Sequence, residues 1–588
     1  MRSTFVLVVL VTVSFSMASA QVPPAKAIQA VPATAIPSPV PAPRSAASPT
    51  LLPPAARRAM ESIDPQRIRA HVRFLSSDLL EGRGTGQRGG DLAAEYLATQ
   101  FALAGLKPAG DNGGYLQAVP MVGIATDPAT AVSFTPEHGQ TLPLKLGDDI
   151  VAADESQATS SEVEAPLVFA GYGIDAPEYQ WDDFKDVDVK GKILLVLVNE
   201  PPSDDPAFFK GKALTYYGRW TYKFEEAARK GAVGALIIHR TDMASYGWDV
   251  VQSSWGGERS YLRSESTPKL KLAGWMQFEI ARQLLIASNQ DIGALMEQAK
   301  SRNFRPVPLP VTIKAHMVSA VRPFDSKNVV AVLRGSDATL KRQAVMLTAH
   351  YDHLGIHPGQ SGDNIYNGAI DNATGCATLL EMARAFASAP QPPSRSLIFA
   401  AVTGEEQGLR GSEFLGEHPP IPAANIVLGL NFDGLAPYGI PEEIEVVGSE
   451  RTTFYPTVQS TAKQFNFAIV PDSDPGAGFY YRSDHFSLAR VGIPAFSVNE
   501  GLKFKGQSRE WGVRQESEYN EKHYHQPSDE FDPAWDFRGI AHLADFGFDL
   551  AWKAATTRQP IEWLKGDEFE VARKASEKAK SVQAADGR

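Results

Sequence analysis

The stretch spanning residues 344–375 reads AVMLTAHYDHLGIHPGQSGDNIYNGAIDNATG. Its first six residues, Ala344 to Ala349, form an apolar run that predicts a buried β-strand. The side chains that follow the run include typical metal ligands: His350, Asp352, His353 and Asp371. A rigid strand whose carboxyl end opens into a loop is a good place to hold a cation. We therefore expect a metal centre here, completed by ligands from later segments.

Length and composition limit the classes of protein that this chain can belong to. Its 588 residues are too many for one core, so we expect at least two domains. The formal net charge of −11 argues against a general nucleic-acid surface. Cys376 is the single cysteine, which excludes an internal disulfide and a cysteine-rich zinc site.

The first 20 residues have the pattern of a secretory signal peptide. Arg2 is followed by an apolar segment and by Ala18-Ser19-Ala20, a cleavage site of small residues. No other run reaches membrane-spanning length, so we expect no membrane span after signal removal. The protein is predicted to be exported, either periplasmic or secreted. Residues 21–56, rich in Ala and Pro, predict a disordered linker.

The rest of the chain divides into a main part and an insert. We predict an N-terminal part over residues 57–155, an inserted domain over 156–312, a main domain over 313–558 and a charged, frayed tail over 559–588. After residue 344, apolar strands alternate with helices, which predicts an α/β fold with a mostly parallel central sheet.

A glycine pattern near the N-terminus does not predict a nucleotide site. Gly84, Gly86 and Gly89 satisfy G-x-G-x-x-G, but the strand that a dinucleotide fold requires before it is missing. We expect a tight loop followed by an amphipathic helix.

Further ligand-type residues follow other predicted strands. Glu405 and Glu406 come after the strand from Ser396 to Val402, and Asp433 comes after the strand from Asn425 to Asn431. In an α/β sheet, this edge is where ligands bind. A loop near residue 525 offers His525, or alternatively His523. Imidazole mixed with carboxylate suits Zn²⁺, and the number of carboxylates suits two metals with a shared bridging group.

These motifs resemble those of the co-catalytic di-zinc aminopeptidases and the related glutamate-carboxypeptidase-like enzymes. The resemblance covers AHYDHLG, GAIDNATG, TGEEQGLRGSEF, NFDG, RSDHFS and YHQPSDEF in the same order. The insert, with DDFKDVDVKGKILLVLV and EEAARKGAVGALIIH, resembles a protease-associated (PA) domain. The resemblance implies a three-layer sandwich interrupted by this smaller, β-rich domain.

The resemblance also implies a role for each site residue. The two zinc ions would share Asp371 as a bridge, one held by His350 and Asp433 and the other by Glu406 and His525. The remaining implied roles are general base for Glu405, orientation of His350 through a hydrogen bond for Asp352, and oxyanion stabilisation for Tyr524. A cis peptide bond is implied between Asp371 and Asn372.

The predicted function is an exported zinc-dependent exopeptidase, most simply an aminopeptidase that acts on peptide substrates through a metal-activated water. A carboxypeptidase or dipeptidase is the nearest alternative, with Arg482 as a conceivable group for a substrate carboxylate. A glutaminyl cyclase and a non-catalytic, receptor-like binding protein are further alternatives. His353 and His357 are expected to be hydrogen-bonded loop residues, and Asp484 and His485 to lie near the site. The oligomeric state is not predicted.

Overall fold

The computed structural model describes residues 52–244, 246–263, 269–357, 361–472 and 475–586. The predicted signal peptide and most of the predicted linker lie outside the described residues. The linker was expected to extend to residue 56, but helix α1 (Pro54–Met60) already begins at Pro54. A proline at the first helical position is compatible with a helix start, because its missing N–H would have had no partner there.

The segment before the insert contributes three helices and five strands. Its helices are α1, α2 (Pro65–Leu75) and α3 (Arg88–Leu103), and its strands are β1 (Lys107–Pro108), β2 (Leu116–Thr126), β3 (Ala131–Pro136), β4 (Leu142–Leu144) and β5 (Ile150–Ala153). Helix α2 begins as predicted, since the side chain of Asp64 accepts a hydrogen bond from Gln66 N at 2.8 Å and Pro65 occupies the first turn.

The predicted insert forms a second α/β arrangement. Its elements are β6 (Ser160–Phe169), β7 (Asp175–Ala176), β8 (Trp181–Asp182), β9 (Ile193–Leu197), α4 (Trp220–Arg229), β10 (Gly234–His239), α5 (Thr241–Ala244), α6 (Trp248–Trp255), β11 (Arg259–Leu262), β12 (Leu272–Gln277), α7 (Phe278–Ala287) and α8 (Ile292–Ala299). Strands β6, β9, β10 and β12 are parallel neighbours in that order. Strand β5, before residue 156, pairs with β12, so the boundaries of the insert and its likeness to a PA domain stay predictions.

One long strand, β13 (Val307–Leu333), belongs to both sheets. Its first half pairs with β3 and β6, and its second half pairs with β2 and with β17 of the site-bearing sheet.

The remaining elements build the part of the chain that carries the candidate site. They are β14 (Ala344–His350), β15 (Gly355–Ile356), β16 (Ile365–Tyr366), α9 (Thr374–Ser388), β17 (Ser396–Val402), α10 (Arg410–Glu417), β18 (Ile426–Asn431), β19 (Glu443–Glu445), α11 (Tyr455–Gln464), β20 (Ala468–Ile469), α12 (His485–Arg490), β21 (Ala495–Ser497), β22 (Asn499–Glu500), α13 (Arg509–Lys522), α14 (Arg538–Thr556) and α15 (Glu570–Asp586).

The predicted fold class, α/β with a mostly parallel central sheet in three layers, is confirmed. Strands β21, β18, β14 and β17 are parallel neighbours in that order, and the antiparallel β13 follows β17. Along β14, Val345 and Leu347 pack in one core with residues of α9 and α14, whereas Ala344 and Met346 pack in another with residues of α10 and α12. The alternation of side chains along a strand therefore places helices on both faces of the sheet.

The C-terminal segment differs from the prediction of a frayed tail. Trp563 and Phe569 are buried, and α15 follows them. Arg451 donates to both carboxylate oxygens of Asp567 at 2.8 and 2.9 Å and to Glu568 at 2.7 Å. The charged composition of this segment was interpreted as exposure to solvent, but its acidic residues pair with a partly buried arginine more than a hundred residues earlier in the chain.

Within the part of the chain that the structure describes, no helix combines the length and the apolar composition needed to cross a membrane.

Candidate metal centre

The predicted ligands come together at the carboxyl edge of three neighbouring parallel strands. Strand β14 ends at His350, which lies opposite Val402 at the end of β17. Glu405 and Glu406 follow β17 after a short turn, and Asp433 follows β18. Parallel strands in register deliver the residues after their carboxyl ends to one edge of the sheet, which is why residues so distant in sequence meet.

Asp371 lies between two pairs of side chains. Its Oδ1 is 3.3 Å from Nε2 of His350, and its Oδ2 is 3.3 Å from Nε2 of His525. His350 Nε2 is also 3.0 Å from Asp433 Oδ1, and His525 Nε2 is 3.0 Å from Glu406 Oε2. The arrangement is thus two imidazole–carboxylate pairs that share one central carboxylate.

The donor set and its spacing fit zinc. Bonds of about 2.0–2.1 Å at a tetrahedral angle place two ligand atoms of one ion about 3.3 Å apart. The nitrogen–oxygen distances of 3.0–3.3 Å around Asp371 agree with that separation. His350, Asp371 and Glu406 offer ligand atoms within 4.8 Å of one another, and so do His350, Glu405 and Asp433. The residues present can therefore hold metal, with oxygen and nitrogen donors of the kind that zinc binds.

The electrostatics of the centre favour cations. Burial lowers the pKa of His350, but the carboxylates of Asp433 and Glu405 outweigh it and raise that pKa well above its usual range. Burial raises the pKa of Glu406, but the imidazoles of His525 and His353 lower it to about 2. Asp371 behaves likewise, since hydrogen bonds with His350 and His525 overcome burial and hold its pKa well below the ordinary value. A positive charge among these carboxylates is therefore strongly stabilised.

Glu405 differs from the neighbouring carboxylates. Burial raises its pKa well above the usual range, the charge of His350 opposes that shift, and Asp433 and Glu406 raise the pKa further. Its backbone N–H donates to Asp352 Oδ1 at 3.2 Å, which fixes the turn after β17. A carboxylate whose pKa is raised is suited to accept and return a proton.

Asp352 orients His350 through its backbone oxygen and not, as the resemblance had implied, through its side chain. The prediction was a hydrogen bond from His350 to the Asp352 side chain, but Nδ1 of His350 lies 3.8 Å from Oδ1 and 3.2 Å from the backbone oxygen of Asp352. The carboxylate instead accepts from Thr85 Oγ1 at 2.8 Å and from the backbone of Glu405. The backbone carbonyl is the acceptor within hydrogen-bonding distance, and the buried carboxylate braces the loops around it.

The glycine-rich loop supports the loops that carry the centre. The buried guanidinium of Arg83 donates to the backbone oxygens of Tyr351, Leu75, Asn367 and Gly368 at 2.5–2.8 Å. A Cβ at Gly89 would lie 1.8 Å from the backbone oxygen of Leu80, so helix α3 can approach this closely only with glycine there. The loop therefore has a structural role, since Arg83 holds the segments around the metal centre together. This agrees with the prediction that the loop is not a nucleotide site.

The backbone around Asp371 is tied to two other segments, to one by the side chain of Asp529 and to the other by the side chain of Asn372. Asp529 accepts from the backbone N–H of Ile370 at 3.0 Å and of Asp371 at 3.1 Å. Asn372 Nδ2 donates to Phe432 O at 3.1 Å, and its Oδ1 accepts from Gly434 N at 3.1 Å. The peptide bond between Asp371 and Asn372 is cis, which confirms that prediction.

Asp433 has its own supporting residues. Ser483 donates a short hydrogen bond from Oγ to Asp433 Oδ2, and Asn431 Nδ2 donates to Ser483 Oγ at 2.8 Å. Asn499 Nδ2 donates to Asp433 O at 2.6 Å. The RSDHFS motif therefore reaches the site through Ser483. Asp484 and His485 are buried nearby, on either side of the start of α12.

The other histidines of the motifs occupy distinct positions. His353 is buried, and its Nδ1 lies 2.6 Å from Glu406 Oε1. The ring of His357 packs on Tyr366 with 4.2 Å between centroids. His523 Nδ1 lies 3.0 Å from Ser528 Oγ, so that His525 and not His523 contacts the central carboxylates. Tyr524 stacks on His525 at 3.9 Å and is 38% exposed, beside the centre and open to solvent.

The structure thus brings together all five predicted ligands and Glu405, and it adds supporting residues that the sequence analysis did not assign. These are Arg83, Thr85, His353, Ser483 and Asp529. His353, Ser483 and Asp529 lie inside the motifs of the resemblance, whereas Arg83 and Thr85 lie in the glycine-rich segment near the N-terminus. Only contacts between distant segments show what they do.

Comparison with known proteins agrees with this geometry. Residues 328–547 match the model of Peptidase family M28. The matched segment contains all five predicted ligands and Glu405. A "Probable zinc metalloprotease" of Pyrenophora teres f. teres (strain 0-1) is 35% identical over 112 residues, 19% of this chain and 23% of that protein. "Leupeptin-inactivating enzyme 1" of Streptomyces exfoliatus is 29% identical over 165 residues, 26% of this chain and 35% of that protein. The chain thus spans well under half of the curated relatives.

Two solved structures resemble the chain over most of its length. An aminopeptidase from Aneurinibacillus sp. strain AM-1 is 18% identical, covers 87% of this chain and 98% of its own, and has a TM-score of 0.48. The Peptidase M28 precursor from Shewanella amazonensis SB2B is also 18% identical, covers 87% and 99%, and has a TM-score of 0.42.

Proposed function

We propose that the protein is a zinc-dependent exopeptidase, most simply an aminopeptidase that releases N-terminal residues from peptides. One observation carries the proposal: Asp371 directs one oxygen to the His350–Asp433 pair and the other to the His525–Glu406 pair. A central carboxylate flanked by two such pairs is what a two-zinc centre needs. The match to the model of Peptidase family M28 supports the same class of chemistry.

The site residues have three roles in the proposed hydrolysis: metal binding, proton transfer and stabilisation of the oxyanion. His350, Asp433, Glu406, His525 and the bridging Asp371 would hold the two zinc ions. Bound zinc supplies Lewis acidity, which polarises a carbonyl and brings the pKa of a water to about 7. Glu405, half-buried beside His350 and Asp433, accepts the proton from the attacking water and returns it to the leaving amine. Tyr524, stacked on His525, donates its hydroxyl proton toward the tetrahedral oxyanion.

The alternatives make different demands on the site. A non-catalytic binding protein would have no use for Glu405, a carboxylate with a raised pKa, next to a complete ligand set. A glutaminyl cyclase of the single-zinc kind would have no use for two flanking pairs around Asp371. We therefore keep hydrolysis as the proposed reaction.

Two measurements test the proposal. Metal analysis of the purified protein should find about two zinc ions per chain, and a chelator should remove both zinc and activity. A panel of free and N-terminally blocked peptides should then show cleavage from the free N-terminus only. Absence of zinc would refute the catalytic proposal, and release of C-terminal residues from blocked peptides would replace the aminopeptidase with a carboxypeptidase.

We also propose export to the periplasm or the medium, on the basis of the first 20 residues. N-terminal sequencing of the protein recovered outside the cytoplasm should begin at Gln21, and a protein that keeps Met1 inside the cell would contradict export.

A further inference from the structure

The turn after strand β17, which carries Glu405 and Glu406, is in direct contact with the predicted insert. Gln407 Oε1 accepts a hydrogen bond from Ser260 N at 3.0 Å, and Arg410 Nε donates to Ser260 O at 3.3 Å. Ser260 is buried and belongs to strand β11. One strand of the insert therefore holds the turn that presents the proposed base and one proposed zinc ligand.

Strand β11 directs an unpaired edge toward this turn. Among the described strands, β2 is the one partner of β11. Arg263 N, directly after β11, donates to Pro120 O at 3.0 Å, and the direction of the backbone groups alternates along an antiparallel ladder. Ser260, three residues before Arg263, therefore points its N–H and C=O away from β2. The side chains of Gln407 and Arg410 satisfy both groups in place of a further strand.

Strand β11 is itself anchored to two other elements. The guanidinium of Arg259 lies over the ring of Trp255, 3.9 Å from its centroid, and Trp255 ends helix α6 of the predicted insert. Glu258, directly before β11, accepts from Nη2 of Arg322 at 2.6 Å and from its Nε at 3.0 Å. Arg322 belongs to β13. Because β11 is tied to both elements, it offers the turn a fixed support.

The turn has a conformation that needs such a support. The backbone N–H groups of Gly408 and Leu409 both donate to Glu405 O, at 2.8 and 2.9 Å, so the segment is one compact unit. Leu409 has a φ of +65°, a left-handed conformation that costs a residue with a Cβ roughly 1–2 kcal/mol. Such a conformation persists where the surrounding contacts determine it. A displacement of Gln407 would therefore also move Glu405 and Glu406, which immediately precede it.

We propose that Gln407 and Arg410 are positioning residues, which hold the turn of Glu405 and Glu406 on strand β11. The inference rests on the proposed zinc-dependent hydrolysis and deepens it, because it makes the predicted insert part of the device that aligns the proton-transferring carboxylate. A misplacement of a reacting group by ~1 Å can lower a rate ~100-fold. Loss of the contact with β11 should therefore act on the chemical step more than on the binding of the substrate.

The first test breaks the contact from both sides. Gln407→Leu removes the acceptor, and Ser260→Pro removes the donor, a change that an edge strand tolerates where the N–H points outward. In zinc-loaded protein assayed with leucine p-nitroanilide, each variant should lower kcat ~10-fold or more and change KM little. Arg410→Met, which removes the Nε donor, should also lower kcat. Gln407→Glu keeps an acceptor and should recover most of kcat.

The double variant and a control make this test specific. Gln407→Leu combined with Ser260→Pro should have the same kcat as either single variant, because both changes remove the same hydrogen bond. Gln298→Leu, an exposed change on helix α8 of the insert, should keep the wild-type kcat.

The second test does not depend on activity. Hydrogen exchange of residues 404–411 in the metal-free protein, measured by mass spectrometry, should be about 5-fold faster in Gln407→Leu and in Ser260→Pro than in wild type. The zinc dissociation constant, measured by competition with a chelator, should rise in both variants because Glu406 lies in the same turn. Gln298→Leu should match wild type in both measurements.

The outcomes separate this role from the general function. Wild-type kcat and wild-type exchange in Gln407→Leu would refute the positioning role and leave the proposed hydrolysis intact. A double variant whose loss is the product of the two single losses would also refute it, because the two residues would then act independently. If Ser260→Pro does not fold, Gln407→Leu and recovery by Gln407→Glu decide the question alone. If zinc-loaded wild type cleaves no peptide, the proposed function fails, and the exchange of residues 404–411 still shows whether β11 holds the turn.

Discussion

Nδ1 of His353 lies 2.6 Å from Oε1 of Glu406, whose other oxygen faces His525. The buried imidazole thus holds the carboxylate in the orientation that a metal on the His525 side requires. A partner of this kind orients a metal ligand without binding the ion.

Replacing His353 should weaken metal binding at the Glu406 side. In His353→Ala, the zinc dissociation constant measured by competition with a chelator should rise about 10–100-fold. His353→Gln can still donate a hydrogen bond to Glu406 and should recover part of the affinity. His357→Ala is the matched control, because its ring packs on Tyr366. Equal zinc affinity in His353→Ala and wild type would show that Glu406 needs no such partner.

Glu405→Gln should separate catalysis from metal binding. The amide cannot accept the proton, so kcat should fall by ~10²–10⁴-fold while the zinc content stays the same. Glu279→Gln, an exposed change on α7, should leave both unchanged. A near-normal kcat in Glu405→Gln, measured on protein with full zinc, would remove Glu405 from the proton transfer.

Asp545 on helix α14 should make the fold less stable at alkaline pH. Burial, with Glu61 adding to it, raises the pKa of Asp545 to about 8, and its Oδ1 has no hydrogen-bond partner among the described residues. An unfolded Asp titrates near ~4, so between about pH 4 and 8 the folded state holds more protons. The free energy of unfolding therefore falls as pH rises through this range.

The Asp545→Asn variant tests this slope by thermal unfolding at pH 5 and pH 9. At pH 9 the variant should be more stable than wild type, on the order of a few kcal/mol, and at pH 5 this difference should shrink to about 1 kcal/mol. Asp204→Asn, on an exposed loop, should shift neither curve. The same difference at both pH values would mean that ionisation of Asp545 is not the cause.

Glu568 should stabilise the packing of the C-terminal segment against the rest of the chain. Its Oε1 accepts from Arg451 Nη2 at 2.7 Å, Lys210 Nζ at 3.0 Å and Tyr481 Oη at 2.7 Å. In Glu568→Gln these donors lose a charged acceptor, and the free energy of unfolding in urea should drop by about 2–4 kcal/mol. The exposed Glu562→Gln is the control from the same segment. A loss no larger than that of Glu562→Gln would contradict this role for Glu568.

The sequence allowed the sheet and the ligands to be predicted for one physical reason. Each apolar run ends in a polar group that a buried strand would not tolerate, so His350, Glu406 and Asp433 mark the strand ends directly. The supporting contacts have no such local signature. Arg83 serves backbone oxygens far along the chain, and Glu568 looked like one more charge in a solvated tail. Hydrogen bonds between distant segments depend on the completed fold.

Strand β13 limits where the protein could be divided for domain excision or domain grafting. Its first half pairs with β3 and β6, and its second half pairs with β2 and β17, all within one unbroken strand of 27 residues. Excision of residues 156–312 would cut through that strand and leave β5 without β12. A graft of this region onto a related peptidase would therefore have to carry β3 to β5 and the first half of β13 along with it. The segment that could be grafted as a unit is larger than the insert, because strand pairs join residues on both sides of its predicted ends.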